Sequence, residues 1–180
     1  MAAPDRRYVA FLRGINVGGH TVRMEALRAI FASMGLCGAE TFIASGNVIF
    51  LSKPADVPAL ERRIEQQLQQ ALGYEVGTFV RSIEEVRQIA RFEPFADAHT
   101  GTVHILFLAA PAPAAGRKRL LEFTGDGDAF AVKGREIYWL RRGKLLEGPF
   151  SNAEWARITG GPTTMRNRNT IVRIAAKYGT

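Results

Sequence analysis

The chain has 180 residues, 47% of them apolar and 9% aromatic, an ordinary globular composition sufficient for one domain or two small lobes that fold without staples. Its single cysteine, Cys37, excludes an intramolecular disulfide, fits no metal-ligand spacing and reads as a structural thiol. No apolar run approaches the roughly 20 residues of a membrane span, residues 1–7 lack a signal-peptide core, and the expected location is the cytoplasm. The net charge of +7 is uneven: residues 1–116 hold 11 basic and 11 acidic side chains, residues 117–180 hold 13 and 6. Such a field favours polyanions, phosphorylated metabolites or acidic partners, although a solvated surface accounts for it equally.

Residues 8–12 form the short apolar run of a buried strand. Residues 13–21 (RGINVGGHT) follow as a glycine-rich loop leading into a helical pattern near Val22, with Thr21 as its cap. Met24, Leu27, Ile30, Phe31 and Met34 recur at three- and four-residue steps and predict one apolar helix face, which Gly35 closes. Strands at 41–44 and 48–51 flank Ser45-Gly46-Asn47, small residues suited to the positive φ of a tight turn. Asp56 caps a long helix marked by Val57, Leu60, Ile64, Leu68 and Leu72 and ended by Gly73. Residues 75–80 read as a strand. This is the element order of a ferredoxin-like βαββαβ unit, with its helices on one face of a mostly antiparallel sheet.

Ser82 and Glu85 form a capping box that opens a helix with Val86, Ile89 and Ala90 inward, and Pro94 forbids its continuation. A strand at 103–108, a helix at 112–123 and a hairpin of strands 128–132 and 136–140 around Lys133-Gly134-Arg135 come next. A second capping box, Ser151 and Glu154, opens a short helix with Trp155 and Ile158 inward. After Gly160-Gly161-Pro162 a last helix runs from about 164 to 178. The second half therefore repeats the first without its final strand. The expected fold is α+β: two ferredoxin-like βαββα(β) lobes, residues 1–81 and a basic lobe 102–180 ending in a helix, joined by a bridging helix and loop at 82–101.

Three stretches carry possible chemistry. Gly14, Gly19 and Thr21 keep the spacing of a P-loop, but His20 stands where lysine belongs and no magnesium-binding aspartate follows a strand, which argues against an NTPase. Backbone N–H groups at such a loop can still hold a phosphate or carboxylate. Arg13, Gly14, Asn16, Gly18 and Gly19 are the candidate contacts, beside the plainer reading that the glycines only serve a strained connection. Ser45 and Asn47 could join them, although the hairpin and the exit of the first strand are expected at opposite ends of the sheet. Around the start of the last helix, Thr164, Arg166, Asn169 and Thr170 form a second polar group favourable to an anion.

Arg141, Arg142 and Lys144, preceded by Tyr138 and Trp139 with one aromatic expected exposed, could track a nucleic-acid backbone together with Arg166 and Arg168. No metal spacing links His20, His99 and His104, no serine elbow occurs, and Cys37 has no histidine in a recognised motif. No cofactor, metal or catalytic residue is therefore assigned, and whether the protein is an enzyme stays open.

Residues 12–19 (LRGINVGG), 42–50 (FIASGNVIF) and 163–170 (TTMRNRNT) together resemble the bacterial DUF1697 family, proteins of unknown function. The resemblance implies a common fold and a shared site, and it brings no substrate. Arg168 departs from it, standing where relatives often place tryptophan. The leading expectation is a protein that binds a small anionic, phosphorylated or nucleotide-like ligand at the loop after the first strand. The alternatives are a nucleic-acid-binding module using the basic second lobe and a scaffold for an acidic protein.

Overall fold

The computed structural model describes residues 4–125, 127–143 and 148–180. Its helices and strands divide between two units, Met1–Ile89 with Arg173–Thr180, and Ala90–Val172, and each unit holds one four-stranded antiparallel sheet. The α+β expectation holds for both.

In the first unit the apolar run lies within β1 (Arg6–Arg13), followed by α1 (Met24–Ser33), β2 (Cys37–Phe42), β3 (Ala44–Ser52), α2 (Val57–Leu72) and β4 (Gly77–Ser82). The strand order is β2-β3-β1-β4. Alternation along β1 puts Tyr8, Ala10 and Leu12 on one face, where they pack with Leu27 and Phe31 of α1, Leu60, Ile64 and Leu68 of α2, and Val48 and Phe50 of β3. Full burial of side chains this size is worth roughly 1.5–3 kcal/mol each, so packing, more than helix propensity, holds these elements in place. The guanidinium of Arg63 on α2 donates to the carbonyl of Met34 at the end of α1. Gly73, at φ 81°, ends α2 as expected.

Two local expectations are corrected. Thr21 does not cap α1: Asn16 Oδ1 takes the N–H of Val22 at 2.9 Å, residues up to Val22 stay in the loop, and the helix begins at Met24 behind Arg23. Ser45-Gly46-Asn47 is not the hairpin turn either. The chain reverses at Ile43, φ 67°, with Phe42 paired to Ala44, and the register then slips so that Thr41 meets Val48. Residues 45–47 thus form a bulge in β3, bridged by Asn47 Nδ2 donating to the Phe42 carbonyl at 3.1 Å. Cys37 opens β2 and is exposed rather than packed inside.

β4 is an edge strand, and its pairing with β1 turns alternate N–H groups outward. Three glutamates take them. Thr78 donates to Glu65 Oε1 at 2.9 Å, Val80 to Glu61 Oε1 at 2.8 Å, and Ser82 to Glu85 Oε2 at 2.7 Å. Glu61 and Glu65 are one turn apart on α2, a spacing that matches alternate residues of the strand. Glu85 belongs to the expected capping box of α3 (Ile83–Arg91), with Ser82 Oγ accepting from its N–H at 3.2 Å. Glu61 also faces the buried guanidinium of Arg81 at 3.9 Å.

The second unit runs β5 (Thr102–Leu108), α4 (Ala114–Leu121), β6 (Asp128–Lys133), β7 (Glu136–Arg141), α5 (Asn152–Thr159) and β8 (Thr163–Asn167), with strand order β6-β7-β5-β8. β8 is the strand the sequence reading leaves out: α6 (Arg168–Tyr178) starts four residues later than about 164, and the second unit completes the same element order as the first. Leu106, Leu108, Ile137 and Trp139 pack with Leu120 of α4, with Ile158 of α5 and with Phe150, which precedes α5. Gly116 of α4 is required by this contact, because a Cβ there would lie 2.0 Å from the carbonyl oxygen of Ile158. The capping box of Ser151 and Glu154 forms as expected.

His104 on β5 has its pKa lowered, first by burial and then by the charge of Arg141. The unfolded chain takes up this proton near pH 6.5 while the folded chain resists it, so the penalty is absent above that pH and grows as pH falls below it. His104→Gln is expected to gain thermal stability relative to wild type between about pH 7.5 and about pH 5.5, read as the difference in Tm between the two proteins at each pH.

Candidate functional site

Three connections meet at one end of the first sheet. β1 leaves through the 13–21 loop, β4 starts with Gly77 opposite Arg13, and the β2–β3 hairpin lies at the same end because Asn47 pairs with Phe11. The expectation that hairpin and loop sit at opposite ends is therefore corrected: an antiparallel β3 begins where β1 finishes.

Positive φ at Gly14 (79°), Gly18 (65°) and Gly19 (84°) winds the loop, a conformation that only glycine adopts without strain. Ile15 is buried and anchors it in the core, while Tyr74 Oη donates to the Ile15 carbonyl at 2.6 Å. Burial pushes the Tyr74 phenol up from its ordinary pKa. The ring of His20 stacks on that of Tyr74 with centroids 3.9 Å apart and an interplanar angle of 17°. The residue that occupies the P-loop lysine position is thus part of the packing. His20 N–H donates to the Val17 carbonyl at 3.2 Å. Among the described residues no partner is found for the N–H groups of Gly18 and Gly19, and both glycines are exposed. Arg13 is exposed and lies along Gly77, its Cβ 3.4 Å and its Cδ 3.8 Å from where a Cβ on that glycine would stand.

The other candidates divide in two. Asn47 belongs to this end of the first sheet, but it is buried and its amide closes the bulge; the side chain of Ser45 lies outside the described residues. Thr164, Arg166, Asn169 and Thr170 belong to the second unit. Thr164 and Arg166 are on β8 rather than at the start of the last helix as expected, and only Asn169 and Thr170 lie on α6. Arg166 Nη1 donates to Thr164 Oγ1 and to the Met165 carbonyl, both at 2.8 Å, and burial lowers its pKa to about 10. Asn167 caps α6 by accepting the Asn169 N–H at 2.8 Å. The polarity of this segment is largely spent on its own strand-to-helix junction.

The proposed nucleic-acid surface fares similarly. Tyr138 and Trp139 are both buried, so the expectation of one exposed aromatic is corrected. Arg141 is buried too, 3.7 Å from Asp128 and over the Trp139 ring. Arg168 donates to the Ala90 carbonyl at 2.7 Å, pairs with Glu93 at 2.6 Å and lines a cleft of ≈ 200 Å³ with Pro94, Phe95 and Val103. Arg142 is exposed, and Lys144 falls outside the described residues.

Sequence reasoning missed Tyr74, which orders the loop from 59 positions away, and Ile43, an apolar β-branched residue at a turn. Neither has a local signal. Among the described residues no group of three His, Cys, Asp or Glu side chains could hold a metal ion, and no helix is long and apolar enough to cross a membrane.

The chain is similar over its whole length to a solved structure described as that of the conserved bacterial protein SP0830 from Streptococcus pneumoniae: 20% identity, 98% of this chain and 100% of that one covered, TM-score 0.73. That likeness is one of fold. No curated protein matches. The model of the family described as "Protein of unknown function (DUF1697)" matches residues 6–138, which include the glycine loop and the hairpin but stop before β8. With nearly three quarters of its length so matched, from β1 into β7, the chain belongs to the DUF1697 family.

Proposed function

We propose that the protein binds a small anionic ligand, a phosphorylated or nucleotide-like molecule, at the loop that follows β1. The observation that carries this reading is that exposed Gly18 and Gly19, whose N–H groups find no partner among the described residues, lie in the same loop that exposed Arg13 opens. Successive backbone donors in a positive-φ turn make an anion-sized concavity, and a neighbouring arginine adds charge and a planar fork for oxygen pairs. The loop is anchored by Ile15 and Tyr74, so little ordering cost falls on binding. The nucleic-acid alternative retains the +7 net charge in its favour, but most of the basic side chains assigned to it are engaged in packing or ion pairs.

Arg13→Ala is expected to leave the melting temperature of the free protein nearly unchanged, as surface substitutions usually do, within about 0.5 kcal/mol. In wild type, inorganic phosphate, ribose 5-phosphate or AMP at a hundredfold excess over Kd should add about 2.7 kcal/mol of stability. In the variant that gain should vanish. Equal stabilisation of both proteins in a thermal-shift assay would remove the loop as the site.

A further inference from the structure

The second unit holds a polar cleft that neither the glycine loop nor the basic surface considered above includes. The close approach of Gly116 to Ile158 seats α4 against α5, and longer side chains stand along the seam on either side of that contact. Arg119 follows Ala115 by four residues on α4, while Arg157 and Ile158 follow Glu154 by three and four on α5, so each set shares a helix face. Together with Gly116 these residues line one cleft of ≈ 220 Å³. Sites that enclose drug-sized molecules measure roughly 300–1,000 Å³, so a guest here has to be small.

Charge in the cleft is unbalanced. Arg119 and Arg157 are both exposed, and among the described residues neither forms an ion pair or donates a hydrogen bond. The carboxylate that shares the cleft is committed elsewhere: Glu154 Oε2 accepts the N–H and the hydroxyl of Ser151, both at 2.9 Å, in the capping box of α5. Those two donors, and then the charges of Arg119 and Arg157, hold the Glu154 carboxyl below its ordinary range. Both guanidiniums therefore feel Glu154 without pairing with it, and two cations against one fixed carboxylate leave room for a further anion. Arg119 is also held in place, its Cζ 5.0 Å from the centroid of the Phe150 ring. A guanidinium laid over a ring keeps its edge N–H groups for a partner in its own plane, where the oxygens of a carboxylate or phosphate match the fork.

We propose that the cleft between α4 and α5 binds a small organic anion, a carboxylic acid or phosphate monoester with a short aliphatic body, its charged group on Arg119 and Arg157 and its carbon chain on Ala115 and Ile158. The site is separate from the glycine loop and does not rest on the reading of that loop. Two arginines on one cleft select a negative guest. The carbon surface of Ala115 and Ile158 suits methylene groups and gains nothing from a bare inorganic ion. Glu154 repels the same guest, and exposed charges are screened by salt, so binding is weak and falls as ionic strength rises.

NMR titration of the full chain tests the site. Glutarate, glycerol 3-phosphate or both should give saturable amide shifts at Gly116, Arg119 and Arg157 with a Kd of about 1 mM, and uncharged pentanediol none; the tighter of the two acids identifies the charged group. Arg119→Gln and Arg157→Gln should each weaken binding about fivefold, the scale of one exposed charge pair, while Arg13→Ala leaves it unchanged. Glu154→Gln keeps the capping box, in which glutamine also serves, and should tighten binding about threefold by removing the like charge. No cleft shifts with either acid, an equal response to pentanediol, binding that survives both arginine substitutions, or weaker binding in Glu154→Gln overturns the proposal. Cleft shifts without shifts at Gly18 and Gly19 support this site and count against the loop; loop shifts alone do the reverse.

Discussion

Glu61→Ala is expected to destabilise the protein by about 3–5 kcal/mol, the range for a buried ion pair stripped of one partner. Glu61 and Arg81 have side chains only 8% and 1% exposed. The glutamate does two things at once: it neutralises Arg81 across 3.9 Å and accepts the Val80 N–H at 2.8 Å. Removing it takes the carboxylate away from a buried cation, which also donates to the Val80 carbonyl at 2.9 Å, and deprives a buried amide of its acceptor. Glu65→Ala, one helical turn away, removes one hydrogen bond to Thr78 and no buried charge partner found among the described residues; its expected cost is about 1 kcal/mol. Urea denaturation of the two variants side by side measures the difference. A Glu61→Ala cost no greater than that of Glu65→Ala would mean that Arg81 finds its compensation elsewhere. Glu61→Gln, which keeps an acceptor but not the charge, should fall between them.

Gly116→Ala is expected to cost about 3 kcal/mol or more, at the upper end for overpacking. Helix propensity predicts the opposite sign, a gain of about 1 kcal/mol from replacing an interior helical glycine. The steric term wins because the added carbon would meet backbone, with the Ile158 oxygen, carbonyl carbon and Cα at 2.0, 2.7 and 2.8 Å. A flexible side chain could rotate away; the backbone of the last turn of α5 cannot, so α4 and α5 have to separate and open the core shared by Leu120 and Ile158. The drop in Tm, roughly 6–12 °C for a protein of this size, is the readout.

The elements with strong periodicity or a capping pair were legible from residues alone. α2 follows its apolar steps from Val57 to Gly73, both capping boxes form, and the Gly134 turn falls where its composition puts it. What failed depends on distant partners. β8 is a five-residue stretch on a sheet edge with Met165 as its one apolar residue, and becomes a strand only because β5 is there to pair with it. Ser45-Gly46-Asn47 has every property of a turn, yet the pairing of Asn47 with Phe11 draws it into β3 and pushes the reversal onto Ile43. At the candidate site the glycine loop was visible through its composition, whereas its support by Tyr74 arises only when the chain is folded.

The row of glutamates along β4 has a consequence for assembly. A strand whose outward amides are already bonded offers no template for another chain, so the first sheet cannot be extended on that side. Growth by strand addition is confined to β2, where the bulged pairing and Gly38 at φ 60° bend the margin. Loss of Glu61 and Glu65 together would therefore do more than soften the monomer: it would unmask a straight, hydrogen-bond-hungry border and make self-association the first symptom.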